Sequence, residues 1–208
     1  MPEQLSWGFP LFPLGIVALP TESVPLHVFE ERYRKMIEEC LQQQSEFGIL
    51  WLSEQELKPV GCACEIGDVT ERMDDGRLNI LARGTRPFRL VERQHELPYP
   101  AGIVEFLEDI EEEPDLDAPQ AARALYAQLV EQATDRELSA SQLEELDAYR
   151  MAATVEFSIE AKQELLELRS ENARMRLLTL MLGAAIKRLE SVERAQARAR
   201  SNGKVRFG

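Results

Sequence analysis

The chain contains few residues whose types and spacing could support catalysis or metal binding. Cys62 and Cys64 alternate with Ala63, so a strand would place both thiols on one face, where they could contact a single ion. No third or fourth ligand accompanies the pair, whereas structural zinc sites use four. Buried free cysteine behaves as a small hydrophobe, so packing inside a small barrel is the preferred interpretation. We predict no metal site and no cofactor.

The remaining titratable residues form no recognisable catalytic arrangement. His27 and His95 are the two histidines of the sequence, which leaves few candidates for a Ser-His-Asp triad. The lysines show no spacing to a serine that marks a nucleophile and its base. The sequence contains no G-x-x-x-x-G-K-[ST] segment, the phosphate-binding loop of many ATPases. We predict that the chain is not an enzyme, with a small hydrolase or peptidase as the alternative. His27 is expected to have a structural role.

Charge and hydropathy exclude several other classes of function. The chain carries 37 acidic against 24 basic residues, a net charge of -13, which disfavours binding to a phosphate backbone. A basic cluster near the C-terminus is interpreted as a solvated helix end: Arg194, Arg198, Arg200, Lys204 and Arg206. No apolar run approaches the roughly 20 residues that cross a bilayer, and the first residues do not form a secretory signal. With three cysteines in no framework spacing, we predict a cytoplasmic protein without nucleic-acid or membrane partners.

The first half of the chain is predicted to form strands and one helix. Short apolar or alternating runs predict strands over residues 16–19, 24–28, 47–52, 60–66, 78–81, 88–91 and 103–107. Gly84 is expected to break the pattern before the sixth of these. One face of an amphipathic helix is formed by Phe29, Tyr33, Met36, Ile37, Cys40 and Leu41. Short strands separated by turns favour a small, closed or nearly closed barrel.

The second half is predicted to be helical. The acidic segment 108–119 contains two prolines and marks a boundary, which divides the chain into domains 1–113 and 114–208. Helical spacing then continues over residues 122–133 and, in a second helix, over 143–153. Ser158 is a candidate cap of a short helix, and Ser170 of a long one that runs through Leu189. The expected fold class is α+β, with a barrel and one helix followed by an all-α bundle.

Several motifs, in their order and spacing, resemble the N-terminal, substrate-binding domain of Lon proteases. They are found at residues 9–14 (FPLFPL), 25–30 (PLHVFE), 60–66 (VGCACEI), 75–81 (DGRLNIL), 84–90 (GTRPFRL), 105–109 (EFLED), 161–167 (AKQELLE) and 172–175 (NARM). The resemblance implies a PUA-like barrel followed by a helical bundle, in a stand-alone form without ATPase or protease modules. The family often has Pro-Gly after its first strand. Here the pair is Pro20-Thr21, where a left-handed backbone would cost more than at glycine.

The resemblance also implies a function. The chain would recognise exposed apolar segments of unfolded or misfolded proteins, directly or as an adaptor for a separate protease. Candidate binding residues flank the polar loop 21–23: Phe12, Leu14, Leu26 and Phe29. The alternative for each is packing in the core. The acidic surface would add a preference for basic segments. A further alternative is a homo-oligomer that pairs through the apolar stripe from Met175 to Leu189.

Overall fold

The computed structural model describes residues 5–115 and 117–202, with the side chains of 193 and 196–202 excepted. The strands are β1 Leu5–Leu14, β2 Ser23–Val28, β3 Phe47–Leu52, β4 Leu57–Arg72, β5 Leu78–Gln94 and β6 Ala101–Phe106. The helices are α1 Glu31–Gln43, α2 Asp117–Thr134, α3 Ala140–Glu144, α4 Ala148–Ala152, α5 Ile159–Glu167 and α6 Glu171–Asn202. The chain is therefore a mixed α+β protein.

The chain divides into two compact units, and the first of them is discontinuous. It contains the residues up to Glu112 together with Asp147–Glu171, and therefore the whole sheet with α1, α4 and α5. The second unit contains Glu113–Leu146 and the residues from Asn172 onward. The division into domains 1–113 and 114–208 stays a prediction. An all-α bundle is not confirmed, because two of the helices that follow the sheet group with the strands.

The six strands form one sheet in the order β2-β5-β4-β3-β1-β6, and β6 also pairs with β5. β1 and β3 are parallel, with Leu11 opposite Gly48 and Leu14 opposite Trp51. All other pairs are antiparallel. The sheet is not a clean barrel. β2 lies on residues 78–83 of β5 whereas β6 lies on residues 88–94, so β2 is an edge strand.

Aromatic side chains occupy one face of the sheet. Phe9 meets Phe88 and Phe106 edge to face, with ring centroids 5.4 and 5.6 Å apart. The buried cluster around them contains Phe9, Leu11, Leu50, Ala63, Phe88 and Val104. Cys62 and Cys64 are fully buried as free thiols, as expected. Strand alternation places them on the face opposite Ala63, and their place in the interior of a barrel stays a prediction.

The segment 16–19 is a buried loop, which makes the strand predicted there wrong. Its backbone is satisfied by a side chain instead of a neighbouring strand, because the Leu19 N–H donates to the Glu22 carboxylate at 2.9 Å. The same carboxylate accepts from the Lys162 ammonium of α5 at 2.6 Å. A short hydrophobic run can form a buried strand or a buried loop, so the sequence pattern did not distinguish the two.

Gly84 does not interrupt β5, although the pattern suggested a break there. A Cβ built at Gly84 would lie 2.1 Å from the carbonyl oxygen of Leu19. The Thr21 N–H donates to the Gly84 carbonyl at 2.8 Å, and the Gly84 N–H donates to the Glu22 carbonyl at 2.9 Å. The glycine therefore lets the loop approach the strand closely.

The helix ends follow the caps in the sequence only in part. Ser158 caps α5 as expected, since its hydroxyl accepts from the Ala161 N–H at 3.3 Å. The single helix predicted over 143–153 is two short ones, because Asp147 caps a new start by accepting from the Arg150 N–H at 2.7 Å.

In α5, the Gln163 amide donates to the Val60 carbonyl of β4 at 3.0 Å. Of the basic cluster, Lys204 and Arg206 lie outside the described residues.

Replacing Thr21 with glycine is expected to stabilise the protein. Thr21 keeps the left-handed backbone that a Pro-Gly pair would adopt, with φ at +69°, and its buried hydroxyl has no hydrogen-bond partner. A left-handed backbone at a residue other than glycine costs about 1–2 kcal/mol. Glycine removes this cost, but its greater freedom in the unfolded chain offsets part of the gain in stability. Thr21→Gly should raise the free energy of unfolding by about 1 kcal/mol, measured by urea denaturation.

Thr21→Ala separates the two contributions. It removes the unpartnered hydroxyl but keeps a Cβ in the left-handed region, so its gain should be smaller than that of Thr21→Gly. Equal gains for the two variants would show that the hydroxyl and not the backbone is the source of the strain. An unchanged or lower midpoint of urea denaturation for Thr21→Gly would contradict the prediction that Thr21 is strained.

Candidate functional site

Two adjoining pockets lie along one edge of the sheet in the first unit. The aromatic pocket, of about 460 Å³, is lined by Phe12, Pro13, Leu14, His27, Phe29, Glu30, Arg32, Tyr33, Leu52 and Pro100. The proline pocket, of about 440 Å³, is lined by Leu11, Pro13, Arg32, Leu52, Leu57, Arg93, Gln94, His95, Leu97, Pro98, Tyr99, Pro100 and Ala101. The two pockets adjoin and are together called the groove, because four residues line both: Pro13, Arg32, Leu52 and Pro100.

The strand directions explain why these residues meet. β1 and β3 run parallel, so their C-terminal ends, with Pro13 and Leu52, lie at the same edge of the sheet. β4 is antiparallel to β3 and therefore begins there with Leu57. β5 in turn ends there with Gln94, and β6 begins there with Ala101. The start of α1 supplies Arg32 from the same side.

The aromatic pocket has a rigid wall and an open rim. The Phe12 ring is buried and stacks on Tyr33, with centroids 4.2 Å apart. Phe29 is 60% exposed at the rim, and its ring lies 5.8 Å from that of His27. The Nδ1 atom of His27 lies 2.6 Å from the side-chain oxygen of Asn79 on β5. His27 thus has the structural role expected for it, although its partner is a strand residue and not the loop before α1.

Arg32 lies between the two pockets and has two partners. Its guanidinium forms an ion pair with Glu30 at 2.7 Å and lies over the Tyr33 ring, 4.6 Å from the centroid. Burial raises the pKa of Tyr33, a shift that the positive charge of Arg32 opposes. Arg32 therefore covers the aromatic wall while its head group remains at the surface.

The proline pocket is closed on one side by the connection between β5 and β6. Pro98 and Pro100 restrict this connection, since each ring fixes its φ angle. Between them, Tyr99 is buried and its hydroxyl donates to the Glu39 carboxylate of α1 at 2.6 Å. Burial, together with this bond, raises the pKa of Tyr99 far above its usual range. The phenol therefore remains a donor over the physiological pH range and holds the connection to α1.

Three of the four candidate binding residues line this groove. Phe12, Leu14 and Phe29 all contribute to the aromatic pocket. Leu26 does not, because it lies on β2 opposite Ile80 and is 8% exposed. Phe12 is also buried, so it forms the wall and offers little surface of its own. The involvement of these residues in binding stays a prediction.

Sequence reasoning missed most of the proline pocket. Leu52, at the end of β3, is 50% exposed, and Leu97 is 37% exposed. The Pro98-Tyr99-Pro100 triplet was the available signal, because such a restricted segment frequently shapes a surface. The contribution of Leu52 had no local signal, since it ends a run (FGILWL) whose other members are mostly buried.

The fold and the groove together define a small α+β binding domain. Within the described parts of the chain, no group of three or more His, Cys, Asp or Glu side chains could hold a metal ion. Over the same residues, no helix is long and apolar enough to span a membrane. Residues 8–184 match the family described as the ATP-dependent protease La (LON) substrate-binding domain. Since the match covers most of the 208 residues, the chain belongs to this family.

Two solved structures are similar to this chain over most of its length. The crystal structure of a Lon N-terminal domain protein from Xanthomonas campestris has a TM-score of 0.63 and 26% identity, covering 82% of this chain and 96% of that one. The N-terminal domain of the Mycobacterium avium complex Lon protease has a TM-score of 0.60 and 19% identity, covering 85% and 98%. The second likeness supports the fold alone. The family assignment confirms the predicted resemblance, and it makes this a proteolysis-associated, substrate-binding type of domain.

Removing the Tyr99 hydroxyl is expected to loosen the proline pocket. Tyr99→Phe deletes a hydrogen bond to a charged acceptor, which should lower the free energy of unfolding by about 1.5–3 kcal/mol. The exchange of the Leu11 amide, which donates to the Pro100 carbonyl at 2.8 Å, should accelerate in hydrogen-exchange measurements. Glu39→Gln keeps an acceptor and should have a smaller effect. Unchanged exchange at Leu11 in Tyr99→Phe would mean that the hydroxyl does not hold this connection.

Proposed function

We propose that the chain recognises exposed apolar segments of unfolded or misfolded polypeptides, and that the groove is where it binds them. The observation that carries this proposal is the position of the two pockets side by side, combined with their exposed apolar rim. Phe29, Leu52 and Leu97 are 60%, 50% and 37% exposed, although each is a large apolar side chain. Contiguous apolar surface is uncommon on soluble proteins and typically marks a binding site.

The groove favours recognition of side chains over backbone pairing. Proline lacks an N–H group, and Pro13, Pro98 and Pro100 line the walls. Addition of a peptide strand to the sheet would use the free edge of β2, but β2 carries Pro25 and alternates exposed with buried residues along its length. Proline on an edge strand is a common device against such pairing. A bound segment would therefore gain most of its affinity from apolar side chains placed in the two pockets.

The proposal includes a role in proteolysis or protein quality control, either as an adaptor or as the recognition part of a protease. A cytoplasmic setting fits the three free cysteines of the chain. Self-association through the last helix has less support. The stripe that this alternative requires is largely covered within one copy, since Met175, Leu178 and Leu182 are at most 2% exposed.

Binding should depend on the exposed rim of the groove. We expect the purified protein to bind a fluorescently labelled, permanently unfolded polypeptide in fluorescence anisotropy, in a saturable manner. Leu52→Asp and Phe29→Asp place a charge where an apolar side chain would be buried on binding. Each should weaken the Kd by roughly tenfold or more, which corresponds to the burial of one large apolar side chain.

The matched control is Leu180→Asp on α6. Leu180 is 73% exposed and lies outside both pockets, so the same substitution should leave the Kd unchanged. Leu26→Asp is unsuitable, because Leu26 is buried and its replacement would destabilise the sheet. If Leu52→Asp and Phe29→Asp bind like the parent chain, as the control does, the groove is not the binding site. If the parent chain shows no saturable binding, the proposed function is wrong.

The proposal also states that recognition occurs without catalysis. The purified chain should hydrolyse neither labelled casein nor ATP above the level of a buffer blank. The residues of the groove explain this expectation, because no Ser, Thr, Cys or Lys side chain is among those that line it. Activity that survives repeated purification and disappears with a single point substitution would support the hydrolase alternative instead.

A further inference from the structure

The charge of the proline pocket differs in sign from that of the protein. The chain has 37 acidic and 24 basic residues. The basic side chains that line this pocket are nevertheless Arg32, Arg93 and His95, without a carboxylate among the lining residues. A bound segment would therefore meet a local positive potential beside apolar walls, inside a protein whose overall field is negative.

Three carboxylates close to this pocket, two from the start and middle of α1 and one in the turn after β5, already have partners, and Glu92, which precedes Arg93 on β5, does not line the pocket. Glu30 pairs with Arg32 at 2.7 Å, and Glu39 accepts from the Tyr99 hydroxyl at 2.6 Å. Glu96 accepts from the backbone N–H of His95 at 3.0 Å. Within the part of the chain that the structure describes, the guanidinium of Arg93 forms no ion pair. Arg93 is therefore the uncompensated cation of the groove.

We propose that the groove selects an extended polypeptide segment in which an acidic side chain stands beside the apolar residues. The carboxylate binds the guanidinium of Arg93, while the neighbouring apolar side chains pack on Leu52, Leu57 and Leu97. This inference rests on the proposed function and names the chemistry of its ligand. It also reverses, at the groove, the preference for basic segments that the net charge suggests.

The arrangement suits a carboxylate for two reasons. A guanidinium offers a planar fork of N–H donors that matches both oxygens of a carboxylate. Arg93 is also one residue from the end of β5, where it pairs with Gly102 of β6, so its backbone position is defined by the sheet. Leu97 follows four residues later in the same pocket, so one ligand can meet the charge and the apolar surface together.

The test compares three peptides that differ at one position. Each carries leucine and phenylalanine around a central Glu, Gln or Lys, has an amidated C-terminus and bears a neutral fluorophore. With the full chain, the Glu peptide should bind about two- to fivefold more tightly than the Gln peptide, and the Lys peptide most weakly. The difference between Glu and Gln should shrink as salt is raised.

The variant Arg93→Gln should remove the preference for Glu, so that the Glu and Gln peptides bind with equal Kd. Arg83→Gln is the matched control, because Arg83 is an exposed arginine on the same strand outside both pockets, and it should keep the preference. Equal loss of affinity for all three peptides in Arg93→Gln would overturn the inference, since Arg93 would then act on the fold and not on the charge.

The remaining outcomes separate this inference from the proposed function. If the three peptides bind equally well, the groove binds apolar segments without regard to charge, and only the inference fails. If the Lys peptide binds most tightly, the field of the whole protein dominates, and the inference also fails. A Gln peptide with a free C-terminal carboxylate is a further comparison. If it binds more tightly than the amidated Gln peptide, while the Glu peptide does not, Arg93 recognises the C-terminus of a polypeptide and not an acidic side chain, and the inference is wrong. If no peptide binds, the proposed function fails together with the inference.

Discussion

The parallel pairing of β1 with β3 is the constraint on which the candidate site depends. In a sheet that is otherwise antiparallel, this single pair brings two strand ends to the same edge, with Pro13 and Leu52 side by side. The remaining strands then begin or end there because each is antiparallel to its neighbour. An antiparallel β1 would place Pro13 at the opposite edge, and the aromatic and proline pockets would not adjoin.

The groove combines an apolar rim with a rigid frame. Exposed side chains such as Phe29 and Leu52 gain little from folding, since they remain in contact with water. Their positions are nevertheless held by buried contacts behind them, such as the stacking of Phe12 on Tyr33 and the bond from Tyr99 to Glu39. A preformed groove of this kind binds with a smaller loss of conformational entropy than a flexible loop.

A second set of contacts fixes the loop between β1 and β2 to α5 of the first unit. Glu22 accepts from the Leu19 N–H and from Lys162 of α5, while Gly84 admits the loop between them. Gly84 and Lys162 belong to separate motifs of the sequence, whereas Leu19 and Glu22 lie outside the motifs. Residues as far apart as Glu22 and Lys162, 140 positions along the chain, therefore meet in one network.

Sequence patterns alone were sufficient to predict the α+β class, the family, the burial of Cys62 and Cys64, and most of the strands and helices, because hydrophobic period and capping residues act locally. They did not predict the loop at residues 16–19 or the split of the helix at Asp147. Each of these depends on which partner satisfies the backbone, and that partner can be distant in the chain.

The candidate binding residues show the same limit. The sequence indicated Phe12, Leu14 and Phe29 but also Leu26, and which of them reach the groove became visible in the folded chain, because exposure depends on what packs above a side chain. The unpaired charge of Arg93 was invisible for the same reason, since the partners of the surrounding carboxylates come from α1 and from the turn after β5.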